Sequence, residues 1–288
     1  SNLTCIDVDD VTWSNTQWTR IHSQTGFSTN CSGNSVLISP RIFLQGPMLS
    51  QDVTGQMNDD LRTVSQIPTT SPYIDSETCD ANVFNVTGAN AIVDWVWVEL
   101  RAASDNSLII NARSALLQRD GDVVDSDGVS NLIMSATPSD YFVVVNHRNH
   151  LGAMSSSTIV LNEVTSTVVD FTNSSFSTFG TNAQVILDSG DTALWAGDVN
   201  DNKQVRYLGP DNDTATIKDN VLNLINGNPS NSNFYPYTGY DNADIDMNGT
   251  VRYLGPSNDT SILKDIITAH PANTGGSNFF PFNSQVTD

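Results

Sequence analysis

Hydrophobic and polar positions alternate through the middle of the chain and change to a helical spacing near its end. Residues 35–44 alternate and are rich in β-branched side chains, which predicts a strand, with Pro40 marking an edge or a bulge. Ala91–Leu100 (AIVDWVWVEL) is the clearest strand. Further strands are predicted at Ser107–Gln118, Val129–Met134, Asp140–His147, Ser157–Asn162 and Thr165–Phe171, with turn signals at short spacing between them. Residues 46–89 read as loop, with one helical turn at Met57–Arg62. This layout predicts a mostly β chain, with an antiparallel β-sandwich over 33–171 and a polar, extended arm over 1–32 that carries Trp13 and Trp18. Residues 172–197 read as a connector with two short strands, Ala183–Leu187 and Ala193–Ala196. Beyond it, apolar positions at Ile217, Val221 and Ile225, and at Leu263 and Ile267, predict helices over Asp213–Ile225 and Asp259–Thr268.

The end of the chain repeats itself. VRYLGP at Val205–Pro210 recurs at Val251–Pro256, a shift of 46 residues, and SNFYPY at Ser232–Tyr237 recurs as SNFFPF at Ser277–Phe282. A match of this length indicates a duplication, with copies at 198–243 and 244–288.

Each copy opens on a run suited to a hard cation. Calcium takes six to eight oxygen ligands, and alternate side chains of a D-x-[DN]-x-[DN]-G run point inward to supply three of them. Asp244, Asp246, Asn248 and Gly249 fit the run in full, with Thr250 offering its carbonyl. Asp198, Asn200 and Asn202 fit it in the first copy, with Gln204 offering its carbonyl, but Lys203 stands in place of the glycine. The twelfth position is Gly209 or Gly255, so the bidentate acid of an EF-hand is missing there. Asp213 and Asp259 lie four residues further on. They close the loops if the LGP segment bulges outward; their other role is to cap the helices that begin there. Two calcium ions are expected, in a structural role.

The net charge of −20 comes almost entirely from Asp, since Glu occurs only at 77, 99 and 163 and Lys only at 203, 218 and 264. Such a balance repels phosphate backbones and argues against nucleic acid. No apolar stretch is long enough to span a bilayer. The chain starts at Ser1 in a polar stretch, as a processed mature form would. Sequons at Asn2, Asn30, Asn85, Asn173, Asn212, Asn248 and Asn258 fit an extracellular, glycosylated setting. There, three cysteines suggest one disulfide, with Cys31 and Cys79 the preferred pair and Cys5 left over.

Other constellations carry less. Asp120, Asp122, Asp125 and Asp127 suit two Asp-Gly turns or a third cation loop. His147 and His150, three apart at a strand end, are expected on opposite faces as structural residues. Trp95 and Trp97 share a face, which suits a core or a sugar platform.

With their loops, the two predicted helices resemble a dockerin pair, in which a calcium loop precedes each helix. RIFLQGPML (Arg41–Leu49), MNDDLR (Met57–Arg62), IPTTSPY (Ile67–Tyr73), NAIVDWVWVELR (Asn90–Arg101), SALLQRDGDVVDSDGVS (Ser114–Ser130) and VVNHRNHLGAMS (Val144–Ser155) also resemble a family of secreted surface proteins of Bacteroidetes-type bacteria. The likeness covers most of residues 35–260. It implies an extracellular module from the end of large surface proteins and no defined reaction. This chain differs in being short and nearly free of other domains, which suggests a subunit that acts on its own or in copies.

The expected function is therefore a non-catalytic, calcium-stabilised structural protein of the bacterial surface. It would assemble into a filament by donating its arm or its SNFFPF tail to the next copy. An adhesin, lectin or dockerin-like binding module is the second class, and a hydrolase with no sequence signature the third. The expected partners are other copies of the chain or another surface protein, with glycans as a further class.

Overall fold

The computed structural model describes residues 5–8, 10–18, 26–28 and 35–287. At the N-terminus, strands β1 (Cys5–Asp7) and β2 (Gly26–Ser28) pair in parallel, and helix α1 (Val11–Gln17) lies between them in sequence. The expected extended arm is thus helical over seven residues, with Asp10 capping the helix by accepting from Trp13 N–H at 2.9 Å.

The β part is built on the long hairpin of β4 (Ile92–Ala102) and β5 (Asp105–Gln118). Side chains alternate along β4. Val96, Val98 and Leu100 are fully buried on one face, while Trp95, Trp97, Glu99 and Arg101 occupy the other. A loop covers that second face: Pro68 accepts from Trp95 Nε1 at 2.9 Å, and Tyr73 packs on Trp97. Two covered faces explain why this strand reads as a nearly unbroken apolar run.

The hairpin is flanked by β6 (Val123–Val124) on the β5 side and by β8 (Ser139–His147) on the β4 side, all antiparallel. The far edge of β8 pairs with β9 (His150–Met154) along one half and β10 (Ile159–Leu161) along the other. A smaller sheet orders β11 (Thr167–Asp170), β3 (Val36–Arg41) and β7 (Leu132–Met134), with β11 parallel to β3. Pro40 falls between the last β7 pair at Ile38 and an isolated bridge at Arg41, where its missing N–H is tolerated. Val36, Ile38, Leu132, Met134 and Val169 of this sheet share one core with the buried face of β4, β5 and β8. Two short helices, α2 (Gln45–Met48) and α3 (Asp60–Thr63), lie in the loop region 46–89, the second overlapping the expected helical turn.

The C-terminal part has its own core around Trp195, Val205, Ile217, Val221, Val251, Leu263 and Ile267. The expected connector runs along the seam: β12 (Val185–Ile186) and β13 (Thr192–Ala193) pair, then Leu194 enters the first core and Trp195 the second. Helices α4 (Asp213–Leu222) and α5 (Asp259–Ala269) start where the sequence places them and touch each other. Helix α4 stops before Ile225, which a 3₁₀ turn leaves 91% exposed, so that residue is not on the apolar face.

Strand pairing in this part is exchanged between the copies. β14 (Gln204–Val205), in the first loop, pairs with β17 (Phe282–Asn283) in the second copy's tail. β16 (Thr250–Val251), in the second loop, pairs with β15 (Tyr237–Thr238) in the first copy's tail. The SNFFPF tail is therefore engaged within its own chain. Phe282 is buried and stacks on His270, with ring centroids 4.2 Å apart.

Candidate functional site

The two loops repeat in atomic detail. In the second, Asp244 accepts from Asn248 N–H at 3.0 Å and Gly249 N–H at 2.7 Å, and Asn248 Oδ1 accepts from Thr250 N–H at 2.8 Å. In the first, Asp198 accepts from Asn202 and Lys203 N–H, both at 3.0 Å, and Asn202 Oδ1 accepts from Gln204 N–H at 2.9 Å. Gly249 has φ +85° and Lys203 has φ +62°, so the lysine takes the glycine's left-handed conformation and keeps the loop's shape. Of the two outcomes expected for Lys203, strain or a different shape, the first holds.

Asp213 and Asp259 turn back into the loops. Asp259 accepts from Ile245 N–H at 2.8 Å and Arg252 N–H at 2.7 Å; Asp213 accepts from Val199 N–H and Arg206 N–H, both at 2.8 Å. The capping role belongs instead to the residues before them. Asn212 accepts from Ala215 N–H and Asn258 from Ser261 N–H, as N-cap asparagines do. One residue of offset frees the aspartates to face inward from the first helical turn.

In the second copy, Asp244, Asp246 and Asp259 offer carboxylate oxygens that lie within 4.8 Å of one another. Burial, with Asp246 beside it, raises the Asp244 carboxyl to about 7. Burial and the same two neighbours push Asp259 well above the usual carboxylate range. In the first copy, burial and Asp213 raise Asp198 to about 7, and burial raises Asp213 to about 6. Carboxyls crowded and dehydrated in this way keep protons that ordinary carboxyls release, and a dication would supply the missing positive charge. Gln204 and Thr250 sit on β14 and β16, at the carbonyl position of each run.

The second loop docks on the β part. Asn149, in the β8–β9 turn, donates to Asn242 O at 3.1 Å and Asp244 O at 2.8 Å. Gln66 Nε2 donates to Gly249 O at 3.1 Å, and Met247 enters the first core. A Cβ on Gly46 would lie 2.0 Å from Ile245 O, so only glycine permits this approach. The first loop's tip, Asp201–Lys203, is exposed.

Next to this contact lies a buried network that sequence reasoning missed. A two-residue turn at Arg148–Asn149 pairs His147 with His150, so their rings meet across the strands with Nδ1 atoms 3.0 Å apart, not on opposite faces of one strand. Gly46 N–H donates to His150 Nε2, which places the ring proton on Nδ1. That proton is directed to Asn149 Oδ1 and His147 Nδ1, so His147 donates through Nε2 to Asp94 at 3.2 Å. Asp94 also accepts from Arg148 Nε at 2.9 Å and Tyr240 Oη at 2.6 Å. Burial alone would raise the Asp94 carboxyl, but Arg148, His147 and Tyr240 hold it at about 2. Burial lowers the affinity of both imidazoles for a proton, most of all at His150.

The acids of Asp120–Asp127 are used in turns and ion pairs. Asp122 pairs with Arg41 at 2.7 Å, Asp125 with Arg113 at 2.7 Å, and Asp127 accepts from Val129 and Ser130 N–H. Cys79 has a free thiol; Cys31, its expected partner, lies outside the described residues, as do Asn2 and Asn30. Asn85 and Asn173 are exposed, whereas Asn212, Asn248 and Asn258 are half-buried and hydrogen-bonded within their loops.

The chain matches no family model, no curated protein and no solved structure.

Proposed function

We propose that this protein is a non-catalytic, extracellular structural module of a bacterial surface, in which calcium in the duplicated loops locks the C-terminal unit onto a β-sandwich body. The observation that carries the proposal is the convergence of Asp244, Asp246 and Asp259 in a loop that itself bonds to Asn149 and Gln66 of the β part. A divalent ion there would bridge three carboxylates, offset two of their three charges and stiffen the joint in one act. Two ions, one in each dockerin-like loop, complete the arrangement. The absence of a reaction is supported by the His147–His150 pair, whose four ring nitrogens are all occupied in buried hydrogen bonds. An extracellular setting is supported by the two exposed sequons, Asn85 and Asn173.

Calorimetric titration of the chelated protein tests this. Two bound calcium ions are expected, falling to one with Asp259→Asn. Titration without heat and with an unchanged melting temperature would sink the proposal.

Self-assembly is the second reading, now narrowed to the N-terminal segment, where Trp13 and Trp18 are exposed. Electron micrographs of the full chain and of a form lacking residues 1–34 check it: filaments from the first and single particles from the second are expected.

A further inference from the structure

A pocket of about 430 Å³ opens between the β part and the first loop. Its back is the outer face of β4, with Trp97 as the aromatic surface and Tyr73 packed against it at 5.6 Å between ring centroids. One side is formed by Asn146, Arg148 and Asn242, the other by Asp198, Asp201 and Lys203 of the loop. The size is in the range of small-ligand sites.

We propose that this pocket binds a neutral saccharide. Sugars present a C–H face that packs on an aromatic ring, and hydroxyls that both donate and accept. The pocket offers a half-buried indole together with carboxylates, amides and cations around it. Its lining carries both signs: Glu99, Asp198 and Asp201, with Arg101, Arg148 and Lys203. A polyhydroxylated ring satisfies both signs, whereas a charged ligand is repelled from one side. The net charge of −20 further disfavours anionic glycans.

The same geometry points to binding without cleavage. Glu99 accepts from Trp97 Nε1 and Asn146 Nδ2, each at 3.1 Å, and from Arg101 at 2.7 Å. With Trp97 and Asn146 on Oε1 and Arg101 on Oε2, its oxygens are committed to protein donors rather than to a ligand. Asp198 belongs both to this pocket and to the first loop, whereas Trp97, Asn146 and Arg148 belong to the β part, so sugar binding is expected in calcium and in chelator alike, and the calcium titration reads the loops separately.

Saturation-transfer NMR on the full chain tests it, with glucose, galactose, mannose, xylose and N-acetylglucosamine at about 10 mM, in the range of weak single-ring affinities. Transfer to at least one of them is expected, with galacturonate weaker than galactose. Trp97→Ala is expected to weaken binding about tenfold or more. Asp201→Asn, which removes the charge and keeps a residue suited to the positive φ of the exposed loop tip, is expected to weaken it severalfold at an unchanged melting temperature, and it decides the matter if Trp97→Ala is poorly folded. No transfer from any neutral sugar, transfer unchanged in both variants, or tighter binding of galacturonate would each overturn the proposal.

Discussion

The first loop, with Asp198, Asn200, Asn202 and Asp213, borders a pocket through Asp198, Asp201 and Lys203; the second, with Asp244, Asp246, Asn248 and Asp259, lies against the β part. Their backbones bond alike, down to the left-handed residues Lys203 and Gly249. What differs is charge and setting: two carboxylates with an exposed tip, against three with a buried one. Duplication has thus preserved the cradle while letting the ligand chemistry and the neighbourhood diverge. A cation bound equally by both backbones is held harder where more carboxylates face it and less water screens it.

The largest expected effect tests both loops together. Chelation removes a ligand that at a thousandfold excess over its Kd contributes about 4 kcal/mol, so calorimetry should show a fall of roughly 10 °C in melting temperature. Next, single substitutions separate the loops: Asp244→Asn should lower the melting temperature in calcium more than Asp198→Asn, since the second loop gathers three carboxylates in a more buried setting. Equal losses would mean that the extra carboxylate and the burial contribute nothing.

The comparison is sharpened by making the first loop resemble the second. Asn200→Asp supplies its third acid and should raise calcium affinity roughly tenfold at that site, read by titration. The pH dependence follows from the raised carboxyls. With calcium removed, Asp198 and Asp244 titrate near 7 in the folded chain and near 3.8 when unfolded. Between those values the folded state binds more protons, so the stability of the chelated protein should decline as pH rises from about 4 to about 7 and level off above. Saturating calcium should flatten that decline. The smallest effect is expected from Lys203→Gly, which relieves a positive φ and should stabilise the protein by about 1 kcal/mol in denaturant titrations.

Much of this was legible in the chain. The duplication announced itself through VRYLGP, and the spacing of Asp244, Asp246 and Asn248 placed the loop before any geometry was seen. The long β-branched and apolar run located β4 and the stretch after it β5, although the Ala103–Ser104 turn between them carries no glycine or proline. Features set by distant contacts were not legible. The Arg148–Asn149 turn contains no glycine or proline, so nothing in NHRNH marks the fold-back that brings two histidines together. Asp94 sits in an apolar run and looks misplaced until Arg148 and Tyr240 arrive from far along the chain. The two roles offered for Asp213 and Asp259 were not separable in the sequence, since Asn and Asp both cap and only the inward turn of Asp259 and the cap at Asn258 tell them apart.

The exchanged strands carry a consequence for how such a unit came to exist. A solitary copy would have a loop strand and a tail strand, yet neither meets the other; each finds its complement only in a second copy. Before duplication, the motif would therefore have had to associate as a symmetric homodimer to complete its ribbons. In one polypeptide that encounter is intramolecular, so each ribbon needs both halves while only one half contacts the β part and its twin keeps an open rim.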